Sequence, residues 1–135
     1  MSTDISVKRK THPSTSRSWL TSSHGTEPGT NPSITLDPAL FPENRRVNGV
    51  IPSGIVLGKV TTTGLYGPYD ATAEDGRQTA RGLLFDYART DGAAKVGGAL
   101  VVHGFADAAR LPFQSGIGSL STPARTALAM IHFEN

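Results

Sequence analysis

The chain has 135 residues, with 15 glycines, 9 prolines and no cysteine, so disulfides and thiolate metal centres are excluded and short strands joined by many turns are favoured over long helices. Its formal charge is only +2, and Lys8, Arg9, Lys10 and Arg17 all lie near the N-terminus, which argues against a nucleic-acid surface on the folded part. No apolar run is long enough to span a bilayer and no hydrophobic stretch follows the N-terminal basic residues, so a soluble, single-domain protein made in the cytosol is expected.

Residues 1–33 are rich in Ser, Thr, Pro and Gly with few large apolar groups. Such a segment cannot bury enough surface to offset its ordering entropy, and it is expected to be a flexible, largely disordered arm. Trp19, with Leu20, is its one adhesive spot, and Val7 to Lys10 reads as a solvated tail. Ser33, Ile34, Thr35 and Leu36 then alternate polar and apolar, as a short edge strand does, before Asp37-Pro38 and Phe41-Pro42 break regular structure within a linker to residue 48.

From residue 49 onward the signal is a β-rich body. Val50 to Val60 carries Ile51, Ile55, Val56, Leu57 and Val60 with Gly54 and Gly58 between them, which predicts a strand bent or bulged at its glycines. Tyr66 to Asp70 and Asp75-Gly76 read as turns. Thr79 to Tyr87 and Lys95 to Phe105 flank Asp91-Gly92 and predict an antiparallel hairpin. Near the C-terminus, Thr122 is placed to cap a helix and Pro123 suits its first turn. Ala124, Ala127, Leu128 and Ile131 follow at helical spacing, so one short helix is expected to pack on the sheet. Leu57, Val60, Leu83, Leu84, Phe85, Leu100, Val102, Leu128 and Ile131 are the expected shared core. The fold class is therefore mainly β, a small Gly-rich β-barrel-like or β-tulip domain with one short C-terminal helix and a flexible N-terminal arm.

Chemistry has no visible address. His12, His24, His103 and His132 show no HxH or HExxH spacing, so each reads as a surface or locally hydrogen-bonded group. Asp70, Glu74 and Asp75 lack the alternating ligands of a calcium loop and read as turn formers. Gly54 and Gly58 belong to no phosphate-cradling motif, and no GxSxG elbow is present. No catalytic, metal or cofactor residue is assigned. Arg77, Gln78 and Arg81, beside the Asp75-Gly76 turn, are candidates for subunit or partner contacts, weighed against ordinary solvated loop charge.

The ordered series SGIVLGKV (Ser53 to Val60), YGPYD (Tyr66 to Asp70), DGRQTARGLLF (Asp75 to Phe85), DGAAKVGGALVVHG (Asp91 to Gly104), DAARLPF (Asp107 to Phe113) and the terminal TPARTALAMIHF resembles the lambda-type phage head decoration proteins over about residues 34–135. That resemblance implies a non-enzymatic capsid-stabilising protein on the outer surface of the phage head, present in the host cytoplasm during assembly. It implies trimers on the expanded head and the major capsid protein as partner, with neither a cofactor, nor nucleic acid, nor a membrane involved. It also implies an N-terminal arm that adds a strand to the capsid protein, for which Ser33 to Leu36 match; the long segment upstream departs from the family pattern, and its Trp19 is a candidate subunit or capsid contact. On this reading, removal of residues 1–36 leaves a folded domain that no longer decorates. Two other readings compete. One is a carbohydrate- or receptor-binding β module with Tyr66, Tyr69 and Trp19 as exposed platforms, although tyrosines packed on the turn are the favoured account. The other is a small β-barrel enzyme using Asp70, Asp75 or His103.

Overall fold

A computed structural model of the protein describes residues 17–26, 30–47, 49–90 and 95–134. Its strands are β1 (Ser33–Leu36), β2 (Val50–Ile51), β3 (Val56–Lys59), β4 (Tyr66–Pro68), β5 (Ala80–Leu84), β6 (Ala88–Arg89), β7 (Val96–Val101), β8 (Gly104–Asp107) and β9 (Ile131–Glu134), with one helix, α1 (Thr122–Ala127). Three 3-10 turns, Pro38–Leu40, Glu43–Arg45 and Ala108–Arg110, complete the regular elements. Strands β1, β4, β3, β5 and β7 close a small barrel in that order, while β2 pairs with β6 and β8 pairs with β9 as separate two-stranded ribbons.

The barrel explains the alternation in its strands. Ile34 and Leu36 from β1, Leu57 from β3, Leu84 from β5 and Leu100 from β7 meet in one buried cluster with Phe41, Ile51 and Ile55, which fills the barrel interior. Their immediate neighbours Val56, Leu83 and Val101 point the other way, into a second cluster with Trp19, Tyr69, Ala106, Leu111, Ala124, Leu128 and Ile131. Strands β3 and β5 are thus buried on both faces, which is why they read as nearly continuous apolar runs. The expected single core is accordingly two. Leu57, Leu84 and Leu100 line the barrel, Leu83, Leu128 and Ile131 pack outside it, Val60 is buried in neither cluster, and Phe85 and Val102 are half-buried at the margins.

The predicted bulge lies in β3. Its register against β5 slips between Leu57 and Gly58, and a Cβ on Gly58 would fall 2.6 Å from the Cα of Arg77, so only glycine lets the loop cross so closely. Strands β5 and β7 pair antiparallel as expected, with Leu83 opposite Val101 and Leu84 opposite Leu100. Their connection is more than a turn, because β6 lies within it and pairs with β2; Asp91-Gly92 falls outside the described residues. The run from Lys95 to Phe105 is two strands, not one. At Gly104, with φ +148°, the chain leaves the barrel and enters β8.

Two other local expectations change. Tyr66 to Pro68 is a strand that joins β3 to β1, and the turn comes later, where the Asp70 carbonyl accepts from Ala73 N at 3.0 Å. The helix is capped by Ser121, one residue earlier than Thr122, and it ends at Ala127. Ile131 and His132 belong to β9, in parallel pairing with β8. Ile131 still reaches the cluster that holds Ala124 and Leu128, so the apolar spacing was informative although the backbone there is extended, and Ala127 is exposed.

Candidate functional site

The segment expected to be a free arm is built into the fold from Arg17 to Thr26. Trp19 is fully buried, its Nε1 donates to Ser53 Oγ at 3.0 Å, and Ser53 Oγ donates onward to the Phe85 carbonyl at 2.8 Å. Gly54, with φ +90°, forms the socket, since a Cβ there would lie 2.7 Å from Trp19 Nε1. The flanking backbone runs along β8. Asp107 N donates to the Trp19 carbonyl at 2.7 Å, Thr21 N donates to the Phe105 carbonyl at 3.3 Å, and Leu20 bridges Ala106. Arg17 lies over the Phe85 ring at 4.8 Å. Trp19 is therefore a core residue and not an adhesive surface group. The rest of the expected arm, residues 1–16, lies outside the described residues.

Ser33 to Leu36 is likewise engaged within the chain. All four residues pair antiparallel with β7, and at its far end Leu36 pairs with Tyr66 of β4 while Asp37 N donates to the Tyr66 carbonyl at 3.0 Å. The alternation is real, with Ile34 and Leu36 inward and Ser33 and Thr35 exposed, but the strand closes a barrel and is not an unpaired edge. Deleting residues 1–36 would take a barrel strand and the Trp19 side chain with it.

Arg77, Gln78 and Arg81 do not form one surface feature. Arg77 is paired to Asp75, with Nε 3.0 Å from Oδ2, and Gln78 Oε1 accepts from Gly76 N at 2.7 Å, so both brace the turn that crosses Gly58. Arg81 stands exposed on β5, separated from β1 by β7. Asp70 caps its own loop by accepting from Thr72 Oγ1 at 2.7 Å and Thr72 N at 3.0 Å, and these bonds hold its carboxyl below the ordinary value. Burial acts to raise Asp75, but hydrogen bonds from the Arg77 backbone and side chain, with the Arg77 charge, outweigh it and hold that carboxyl low as well. Both acids are turn braces.

His24 and His103 meet edge to face with ring centroids 4.6 Å apart, and His132 lies 5.8 Å from the Phe105 ring. Their proximity follows from a close backbone crossing, in which a Cβ on Gly25 would collide with the His103 carbonyl. Among the described residues no group of three or more His, Cys, Asp or Glu is placed to hold a metal. His12 falls outside the described residues. Tyr69 is 2% exposed and bonds Ser121 Oγ through its hydroxyl at 3.0 Å, Tyr66 is half-buried against the barrel, and Trp19 is buried, so these three are not exposed glycan platforms. Among the described residues no helix is long and apolar enough to cross a membrane.

Three arginine–phenylalanine stacks, absent from the sequence-based expectations, mark the surface instead. Besides Arg17 over Phe85, Arg45 lies 4.7 Å from the Phe113 centroid and Arg125 lies 5.6 Å from that of Phe133. The Arg45 guanidinium also packs directly on Gly116, where a Cβ would collide with Nη2. No motif announces the first two, which join residues remote in sequence, whereas Arg125 and Phe133 lie on the successive elements α1 and β9.

The order of motifs can now be set against known proteins. Comparison with curated proteins and with solved structures finds no match in either. A family model described as bacteriophage lambda head decoration protein D matches residues 30–132, which takes in the whole barrel, the β2–β6 ribbon, the helix, β8 and the start of β9. Trp19 and its strap lie upstream of the matched stretch. The chain belongs to the bacteriophage lambda head decoration protein D family.

Proposed function

We propose that this protein is a non-enzymatic decoration protein that binds the expanded phage head as trimers and stabilises it against the pressure of packaged DNA. The observation that carries this reading is the family match over residues 30–132. A ligand that binds the assembled shell but not its dissociated subunits stabilises the shell by mass action. In a trimer, docking of one subunit raises the effective concentration of the next. The protein sits on the outer surface of the head, is made in the host cytoplasm, and meets the major capsid protein without touching DNA or membrane.

The strand-adding arm requires a new position. β1 is committed to the chain's own barrel, and the chain is anchored again at Trp19, so we assign the capsid-contacting segment to residues upstream of Arg17 instead of Ser33 to Leu36. Backbone pairing there would supply affinity while alternate side chains set register. The test is co-sedimentation with expanded heads, run beside a solution mass measurement. The full chain is expected to sediment with heads and to have the mass of a trimer or to trimerise on binding; failure to bind refutes the decoration reading. Removal of residues 1–16 is expected to abolish binding and leave the melting temperature unchanged. Undiminished binding by that truncation refutes the placement of the arm.

A further inference from the structure

Two imidazoles meet where the N-terminal strap crosses the connection between β7 and β8. His24 lies in the Ser23–Thr26 turn, where Thr26 N donates to the Ser23 carbonyl at 3.1 Å and His24 N donates to Ser22 Oγ at 3.1 Å. His103 lies in the connection itself. The crossing is tight from both sides: a Cβ on Gly25 would collide with the His103 carbonyl, and one on Gly104 would fall 2.7 Å from the His24 carbonyl. The backbone therefore holds the pair together, and the ring centroids stand 4.6 Å apart.

That separation suits a shared ion. With metal–nitrogen bonds of about 2.0–2.1 Å, two imidazoles in neighbouring positions on one cation have centroids roughly 4.5–5.2 Å apart. The rings meet edge to face, at 60°, but the Cβ–Cγ torsion of histidine is soft, and the exposed His24 ring can turn a nitrogen toward an ion without moving its backbone. Among the described residues neither ring has a hydrogen-bond or salt-bridge partner, so their nitrogens are open to a ligand. His132 contacts the Phe105 ring instead, at 5.8 Å between centroids. Among the described residues no third His, Cys, Asp or Glu joins the pair, which excludes the closed four-ligand cage of a structural zinc centre and leaves the other positions to water. Imidazole suits borderline cations such as Ni²⁺, Cu²⁺ and Zn²⁺, whereas Mg²⁺ and Ca²⁺ take oxygen ligands.

We propose that His24 and His103 form a surface site for one borderline divalent transition cation, with water completing its coordination, and that the ion clips the strap to the β7–β8 connection. One ligand comes from the strap and the other from the body, so an ion held by both favours the docked strap by mass action. The inference goes beyond the decoration reading and is tested without heads.

Full-length protein without an affinity tag is titrated with Ni²⁺ in a calorimeter, with Mg²⁺ as control, and its melting temperature is followed as Ni²⁺ is raised. Binding of one Ni²⁺ per chain at these residues is expected, with a melting temperature that rises with Ni²⁺ and not with Mg²⁺. Hydrogen exchange of the Thr21 amide, which donates to the Phe105 carbonyl where the strap meets β8, is expected to slow. His24→Gln and His103→Gln are each expected to weaken binding at least about tenfold and to remove the melting shift, since loss of even a group one shell out from a metal costs about 10–100-fold. His12→Gln and His132→Gln are expected to leave both unchanged. Native tryptophan emission establishes that each variant is folded, and His24 is exposed, so its replacement leaves the packing intact. Absence of Ni²⁺ binding up to millimolar concentration, full binding by His24→Gln, an equal effect of Mg²⁺, or weakening by His12→Gln or His132→Gln overturns the site. Binding that leaves Thr21 exchange unchanged overturns the clip.

Discussion

Replacing Trp19 with alanine tests whether the strap upstream of the family-matched residues is part of the cooperative fold. The side chain is 0% exposed and packs among Val56, Leu83, Ala106, Leu111 and Ile131, so truncation opens a cavity where the outer cluster meets the barrel wall. Large-to-small changes at buried aromatic positions cost about 3–5 kcal/mol. Part of that sum is the lost indole donor, since Ser53 keeps its bond to the Phe85 carbonyl but loses the proton it accepted, at about 1 kcal/mol. Against a total stability of about 5–15 kcal/mol, this removes a large fraction, and it lowers the melting temperature by roughly 10–20 °C for a domain of this size. Trp19→Phe, which keeps most of the volume but not the donor, is expected to lose about 1–2 kcal/mol. Urea and thermal unfolding followed by circular dichroism measure both variants. Trp19 is the only tryptophan, so the wild-type emission reports the same site: blue-shifted and protected from iodide when native, red-shifted on unfolding. A Trp19→Ala protein that melts within about 2 °C of wild type would refute the anchoring, because a buried residue of that size cannot be removed so cheaply.

Gly54→Ala places a methyl against the indole at a positive φ and is expected to cost more than 1 kcal/mol; in a Trp19→Ala background the steric part disappears, so the double variant is less destabilised than the sum, as a urea double-mutant cycle would show. Leu84→Ala empties the barrel interior and is expected to lose about 2–5 kcal/mol in the same assay, whereas a near-neutral result would mean that the β5 register is off by one. The Asp70 carboxyl lies below 3.8 in the folded protein, so its stabilisation is complete above that value and is lost as pH falls through the lower folded one; the melting gap between wild type and Asp70→Asn should be present at pH 7 and close in acid, and remains small because the loop is solvated. Deletion of residues 1–36 is expected to give a chain without cooperative unfolding, while deletion of residues 1–16 keeps the wild-type transition.

How far the fold could be read from the sequence depended on how local the cause was. Alternation in Ser33 to Leu36 and the apolar runs around Leu57 and Leu84 are nearest-neighbour signals, and the structure places those residues in strands facing a common interior. The bulge at Gly58 was also legible, because a glycine inside a strand is unfavourable unless something crosses it. The division of one apolar list into two cores was not. That division depends on which face of β3 and β5 each residue takes, and both faces are covered, so hydrophobicity alone carries no sidedness there. At the C-terminus the helical spacing of Ala124, Leu128 and Ile131 is met by a short helix, a turn and then a strand, since six residues form only a marginal helix and pairing with β8 satisfies the following backbone better. The alternation in Ser33 to Leu36, which suits strand addition to a partner, serves the chain's own barrel in this structure.

The strap shows why composition missed the packing of residues 17–26. A Ser/Thr-rich stretch with one tryptophan lacks the average hydrophobicity of a folded segment, but averages do not register a single large side chain whose socket lies elsewhere in the chain. That socket needs Gly54 for space, Ser53 for the indole proton and the free side of β8 for the backbone, all supplied by residues that were read as strand or turn punctuation. Once filled, it fixes where the upstream chain leaves the body: beside Phe85 and β8, on the outer cluster and not at the barrel strand β1. On the proposed reading, an N-terminal contact with the capsid would start from Arg17. Its geometry is set by the same tryptophan that stabilises the core, so weakening the Trp19 anchor should loosen partner binding even when the barrel itself survives.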